Sequence, residues 1–203
     1  MAGVSYKINP RFRLTTTYLS VRWHQIDKEV IESEAAFPIE GRYILRSKAG
    51  VELMVHFHAG VMDVIYHHST DFEAVKTQKW LRSLFRDIIM RVASEVLPQR
   101  VKYWENLKGL HGNGVSVKRL RKNILGQCSM DNHITLPPYL VIFRQDWMDG
   151  VILHEMAHYR HKHHRQPFWD FLSTLLGQDS RLAKVKDEIA LSPYYDYYLY
   201  LTR

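Results

Sequence analysis

Near residue 73 the spacing of apolar residues changes, and that change constrains the fold more than any other feature of the chain. Upstream, Arg42–Arg46, Val51–His58 and Met62–Tyr66 are short runs rich in strand formers. Lys48-Ala49-Gly50 and Ala59-Gly60 lie between them as hairpin turns. Downstream, Trp80, Leu81, Leu84, Phe85, Ile88, Ile89, Val92 and Val96 recur at helical spacing, with Arg82, Arg86, Asp87 and Arg91 in the gaps. This predicts an amphipathic helix over 73–97. Pro98 is expected to end it and to open a second helix through Leu107, closed by Gly109, Gly112 and Gly114. Strands first and helices after predict an α+β chain rather than an alternating α/β one.

The flanks follow the same logic. Thr15, Thr16, Thr17, Tyr18 and Val21 favour strands, and Gly3, Pro10 and Pro38 interrupt them. Residues 1–40 are therefore expected to be an extension of the domain formed by 41–203. Residues 115–122 and 133–143 read as two further strands. Pro137-Pro138 cannot donate to a ladder, so the second strand should be an edge or should break there. Asp146 and Asp149 look like the N-cap and acidic third residue of a capping box, opening a helix from about Trp147 to at least Arg160. A further helix is expected around Pro167, with Phe168, Phe171, Leu172, Leu175 and Leu176 as its apolar stripe, and Lys184–Ile189 is expected to be helical too.

Composition narrows the setting. The 203 residues are 46% hydrophobic and 24% charged, which excludes a disordered or low-complexity chain. One cysteine, Cys128, permits no intrachain disulfide and favours a reducing compartment. No run approaches the roughly 20 apolar residues of a membrane helix, and Met1–Pro10 has no apolar signal core. The expectation is a cytoplasmic protein with no membrane partner. Net charge is 28 − 21 = +7, a balance that suits nucleic acid, nucleotides or acidic protein segments. The charge is spread along the chain, however, with its densest cluster at Lys118, Arg119, Arg121 and Lys122. Scattered surface charge is the better explanation, and nucleic acid stays an open partner.

Histidine is the unusual count: there are 12, and five of them lie between His154 and His164. Within that cluster, Leu153-His154-Glu155-Met156-Ala157-His158 contains H-E-x-x-H. On a helix, residues i and i+4 share a face about one turn apart. Two imidazoles so placed can both reach one zinc ion at about 2.0–2.1 Å. Glu155 points elsewhere and can hold a water beside the metal. Val151, Ile152, Leu153, Met156 and Ala157 predict a largely buried helix, and buried histidines and carboxylates need partners. The plain alternative is a pair of core histidines bonded to carbonyls, with Glu155 in a salt bridge.

A third ligand separates the two, and His161, His163 and His164 are the candidates. His161 stays on the same helical face as His154, but about 10 Å along the axis at 1.5 Å per residue. His164, six residues beyond His158, reaches the metal if the helix ends near Arg160–Lys162 and the chain folds back. Metzincins place a glycine at the position of His161 to permit such a turn. Histidine here would adopt a left-handed conformation at a cost.

The stretch Asp149-Gly150-Val151-Ile152-Leu153-His154-Glu155-Met156-Ala157-His158, then His164, then Phe168-Trp169, resembles the YgjP-like metallopeptidases. That family shows an aspartate before an H-E-L-A-H core, a histidine six residues later, and then F-W. Gly126-Gln127-Cys128-Ser129, followed by Ile134-Thr135-Leu136, resembles the family's G-S-C-S turn and strand. Gln127 replaces the usual serine, Pro137 stands where asparagine is common, and Arg165 replaces a frequent serine. None of these removes a ligand or the base. The resemblance implies a minimal zincin-like fold: a small, twisted, mostly antiparallel sheet packed on the long amphipathic helix and the H-E-x-x-H helix. It also implies a zinc peptidase with His154, His158 and His164 as metal ligands and Glu155 as the general base. A peptide or protein substrate would pair along an edge strand formed by Ile134, Thr135, Leu136 and residues up to Tyr139. Tyr139 and His133 are the nearest oxyanion donors by position.

Other readings remain. A zinc-dependent phosphohydrolase acting on nucleotides would suit the charge, but the chain has no phosphate-cradling glycine loop. A nucleic-acid-associated protease of the WLM type shares the H-E-x-x-H-x5-H spacing. A binding module with a vestigial zinc would not need Glu155. Tyr194, Tyr195, Tyr197, Tyr198 and Tyr200 are expected to lie against their own domain, and Cys128 to be a structural thiol.

Overall fold

The computed structural model of the protein describes residues 10, 17–26, 41–47, 50–121 and 124–180. Most of the N-terminal 40 residues, the Lys48-Ala49 half of the first turn, Lys122, Lys184–Ile189 and the tyrosine-rich tail lie outside the described residues. The fold is α+β, and the chain forms two compact units that meet in sequence at Ile88 and Ile89. That junction lies inside helix α1, Val75–Lys108.

The first unit holds strands β1 (Ser20–Ile26), β2 (Arg42–Ser47), β3 (Gly50–His58) and β4 (Val61–His67). Their order is β1-β4-β3-β2. The β2–β3 and β3–β4 pairs are antiparallel hairpins, whereas β1 runs parallel to β4. A parallel pair needs a crossover, here supplied by the β2–β3 hairpin. The β3–β4 turn is tight because Ala59 and Gly60 both take positive φ, +48° and +77°, the signature of the hairpin turns that match strand twist. A side chain at Gly60 would also meet the Tyr18 carbonyl oxygen at 2.6 Å. Leu53, Met54 and Val55 are buried in succession, so both faces of β3 are covered. On one face Trp23, Tyr66 and Phe72 form an edge-to-face cluster with centroids 5.2–6.1 Å apart.

Helix α1 is continuous through Pro98, contrary to the expected break. The proline costs one backbone bond to the preceding turn, but Leu97 and Val101 on either side of it are fully buried and hold the helix together.

The second unit carries strands β5 (Val115–Val117), β6 (Gln127–Cys128) and β7 (Ile134–Leu136) in the order β5-β7-β6. β5 is parallel to β7, and β6 is antiparallel to it. The anticipated single, mostly antiparallel sheet is thus two mixed sheets among the described residues. β7 stops at Leu136 and gives way to a 3₁₀ helix over Pro138–Ile142, every residue of which is buried. Helix α2 (Gln145–Ala157) follows and lies against β6 and helix α3 (Gln166–Leu176). Of the expected stripe on α3, Phe168, Leu172 and Leu175 are buried, and Gly177 in the left-handed region at φ +69° ends the helix.

The expected capping box is absent from α2. Its N-cap is Arg144, without a side-chain cap bond. Asp146 lies in the first turn, accepts from the Trp147 amide at 3.0 Å and pairs with Arg144. Asp149 turns inward instead, where Arg100 of α1 grips it through two hydrogen bonds of 2.6 and 2.5 Å. A buried carboxylate cannot serve an exposed helix end, and a bidentate guanidinium is the partner its burial demands.

Candidate active site

Helix α2 carries His154 and Glu155 in its last turn, and His158 is its C-cap. Beyond Ala157 the helix tightens before it stops. The amides of His158, Tyr159 and Arg160 bond three residues back, to Glu155, Met156 and Ala157. The chain then turns and enters α3, bringing His164 back over His154. No left-handed residue is needed at His161, contrary to expectation. Among the described residues, the only non-glycine residues with positive φ are Ala59 and Asn132.

The result is a cluster of three imidazoles. Nitrogen atoms of His154, His158 and His164 all lie within 4.8 Å of one another, and Nε2 of His154 is 3.0 Å from Nε2 of His164. Tetrahedral ligation at about 2.0–2.1 Å sets ligand nitrogens roughly 3.3 Å apart, so these residues fit a divalent ion. The donor chemistry fits as well. Nδ1 of His158 bonds the His161 carbonyl at 2.8 Å, which leaves Nε2 as the electron-pair donor. Burial also pushes His158 below the usual imidazole range, favouring the neutral form a ligand needs.

His161 and His163 are not in the cluster. The His161 ring packs near Phe171 at 5.7 Å, and His163 is exposed. Phe168 supports the cluster from below: its fully buried ring is 5.0, 4.6 and 4.6 Å from those of His154, His158 and His164. Trp169 acts through its polar edge, donating from Nε1 to the His164 carbonyl at 3.0 Å. A further tie holds the end of α2: Glu105 Oε1 accepts from Tyr159 Oη at 2.8 Å and from the Gly112 amide at 2.9 Å.

Glu155 faces the same cavity, of about 470 Å³, which is also lined by Gly126, Gln127, Cys128, Met130 and Lys162. Its residue is only 6% exposed, and desolvation raises its pKa to about 7. Its burial beside the imidazole cluster marks it as the candidate proton carrier of the site. Gly126 sets its position: a Cβ there would lie 2.6 Å from both Cγ and Oε1 of Glu155. Burial likewise raises the Cys128 thiol, which keeps it protonated rather than nucleophilic.

The expected substrate strand requires correction. β7 is the central strand of its sheet, so Ile134, Thr135 and Leu136 have their ladder positions between β5 and β6, and all three are buried. Tyr139 lies in the 3₁₀ helix and donates its hydroxyl to the Ile124 carbonyl at 2.9 Å. The strand at the sheet edge beside the cavity is β6, Gln127–Cys128. The two proposed oxyanion donors are also turned away. His133 Nε2 bonds Ser116 Oγ at 2.7 Å, and neither His133 nor Tyr139 lines the cavity. Sequence reasoning missed Gly126, Met130 and Lys162 as cavity residues, because their roles depend on a two-residue strand too short to show a period.

A unit that gathers three imidazoles and a buried glutamate on one helix and the turn after it has the makings of a metal-dependent hydrolase. The chain belongs to the YgjP-like metallopeptidase domain family, whose profile matches residues 18–185. β1 lies within the matched region. No curated protein and no solved structure matches the chain.

Proposed function

We propose that the protein is a zinc-dependent peptidase of zincin-like architecture, with His154, His158 and His164 as the metal ligands. One observation carries this: the three imidazoles converge in the cavity that also holds Glu155. The zinc ion, when bound, would polarise the scissile carbonyl and acidify a water. The chain's own residues do the rest. Glu155 accepts the proton of the attacking water and passes it to the leaving amine, and Gly126 gives it room to stand there. The outer edge of β6 offers main-chain groups to an extended peptide. A single cysteine suits a reducing compartment such as the cytoplasm.

Phosphate chemistry is less well served. Among the described residues, Lys162 is the only lysine or arginine lining the cavity, and its three donors already reach Ser129 O, Asn132 Oδ1 and Cys128 Sγ.

The test pairs metal analysis with turnover. Purified protein should hold one zinc per chain and hydrolyse peptide bonds. Glu155→Gln should retain the zinc and lose about 10²–10⁴-fold in rate. A chain that binds no zinc, or a mutant with undiminished hydrolysis, would overturn the reading.

A further inference from the structure

The turn joining β6 to β7 is held more firmly than a connection of its length requires. Within it, Ser129 N donates to His133 O at 3.0 Å, Asn132 N to Ser129 O at 3.1 Å, and His133 N to Ser129 Oγ at 3.0 Å. From outside, the Asn113 amide donates to Asn132 O at 3.0 Å, and the Asn113 side chain donates to Asp131 O. Lys162, from the turn that carries His164, donates to Ser129 O and Asn132 Oδ1, both at 2.6 Å. These bonds hold Asn132 in the left-handed region at φ +65°.

What this framework presents is Met130. It lies among these fixed residues, is 81% exposed, and lines the cavity that holds Glu155 and the imidazole cluster. A large apolar side chain held out in water beside reacting groups gains free energy when a second apolar group covers it. Methionine is unbranched and polarisable, so it adapts to several partners of different shape. Lys162 cannot itself be the recognition group, because its three donors are engaged within the protein.

We propose that this turn is a preformed specificity element: Met130 receives a large apolar side chain next to the scissile bond, and Lys162 is the positioning residue that holds it in place. The proposal rests on the peptidase reading and adds a substrate class to it.

Binding without turnover tests it. The probe is a set of fluorescein-labelled, alanine-based octapeptides with Leu, Phe or Ala at either central position. The protein is the zinc-loaded full chain carrying Glu155→Gln, and the readout is anisotropy. Leu and Phe peptides should bind about tenfold tighter than the all-alanine peptide. Met130→Ser should erase that preference. Lys162→Met should erase the same preference with Met130 intact, and Lys162→Arg should recover part of it. Circular dichroism checks folding, and the Met130→Ser arm decides alone if Lys162→Met does not fold. A preference that survives Met130→Ser overturns the recognition role, and one that survives Lys162→Met overturns the positioning role. Wild-type binding without any preference overturns the subsite while leaving the peptidase reading intact. If zinc is bound but no peptide is, the peptidase reading fails and the subsite with it.

Discussion

The two sheets of this protein are built on different principles. The four-stranded sheet has strands of 6 to 9 residues, with Leu53, Met54, Val55, Met62, Val64 and Ile65 buried in it. Its order comes from apolar burial repeated along long ladders. The three-stranded sheet has strands of 2 and 3 residues. Its shape is fixed by side-chain hydrogen bonds: Lys162 and Ser129 to backbone of the β6–β7 turn, Asn113 to the Asp131 carbonyl, and His133 to the Ser116 hydroxyl. The flanking strands β5 and β6 hold no fully buried residue, so polar contacts with specific partners take over there. The candidate site is built beside this second sheet, with β6 lining the cavity.

Mutations in each region should separate the two regimes. The largest effect is expected in the second unit at Asp149. Asp149→Ala removes both charge-assisted hydrogen bonds to the part-buried Arg100 and should cost about 3–5 kcal/mol in urea unfolding. A loss below about 1 kcal/mol would show that the pair is solvated and that α2 is held by packing alone. In the first sheet, Leu53→Ala should cost about 2–5 kcal/mol by cavity formation, whereas Ser129→Ala in the polar turn should cost about 0.5–1.5 kcal/mol. Equal costs at the two positions would erase the distinction drawn between the sheets.

Smaller effects sharpen the functional side. His164→Ala should weaken zinc binding by about 100-fold or more, by analogy with the losses seen even for supporting residues. His161→Ala and His163→Ala should leave it nearly unchanged. Competition with a chelator measures all three, and metal loss in either neighbour with retention in His164→Ala would mean the ligand register is wrong. Gly126→Ala should displace Glu155 and lower kcat by about tenfold, in the manner of a misplaced catalytic group, with zinc affinity unchanged. Unaltered kcat would show that Glu155 has room to shift without consequence.

The legible parts share a physical basis. Long strands and the start of α1 announced themselves by repeated burial, and H-E-x-x-H announced itself because helical geometry fixes where i and i+4 point. The return of His164 to His154 and His158 was legible from its spacing together with the requirement that the helix end early. Misreadings occurred where one residue's local preference met a tertiary partner. Pro98 was expected to end a helix that buried Leu97 and Val101 carry through. Asp149 has the spacing of a capping residue, but its carboxylate belongs to Arg100. Pro137-Pro138 correctly marked a break, yet β7 lies at the centre of its sheet, because β6 reaches it through only two residues.

The sequence by itself determined the class of fold, the helix that presents His154, Glu155 and His158, and the chemistry those residues favour. These depend on local periodicity and on residue type, which are properties of neighbours along the chain. Only the tertiary structure decided which strand borders the cavity, that Gly126 makes room for Glu155, and that Lys162 fastens the turn bearing Met130. Each of these joins residues about 30 positions apart. Their pairing depends on how the connecting segments close in space, and no local pattern in the chain encodes that closure.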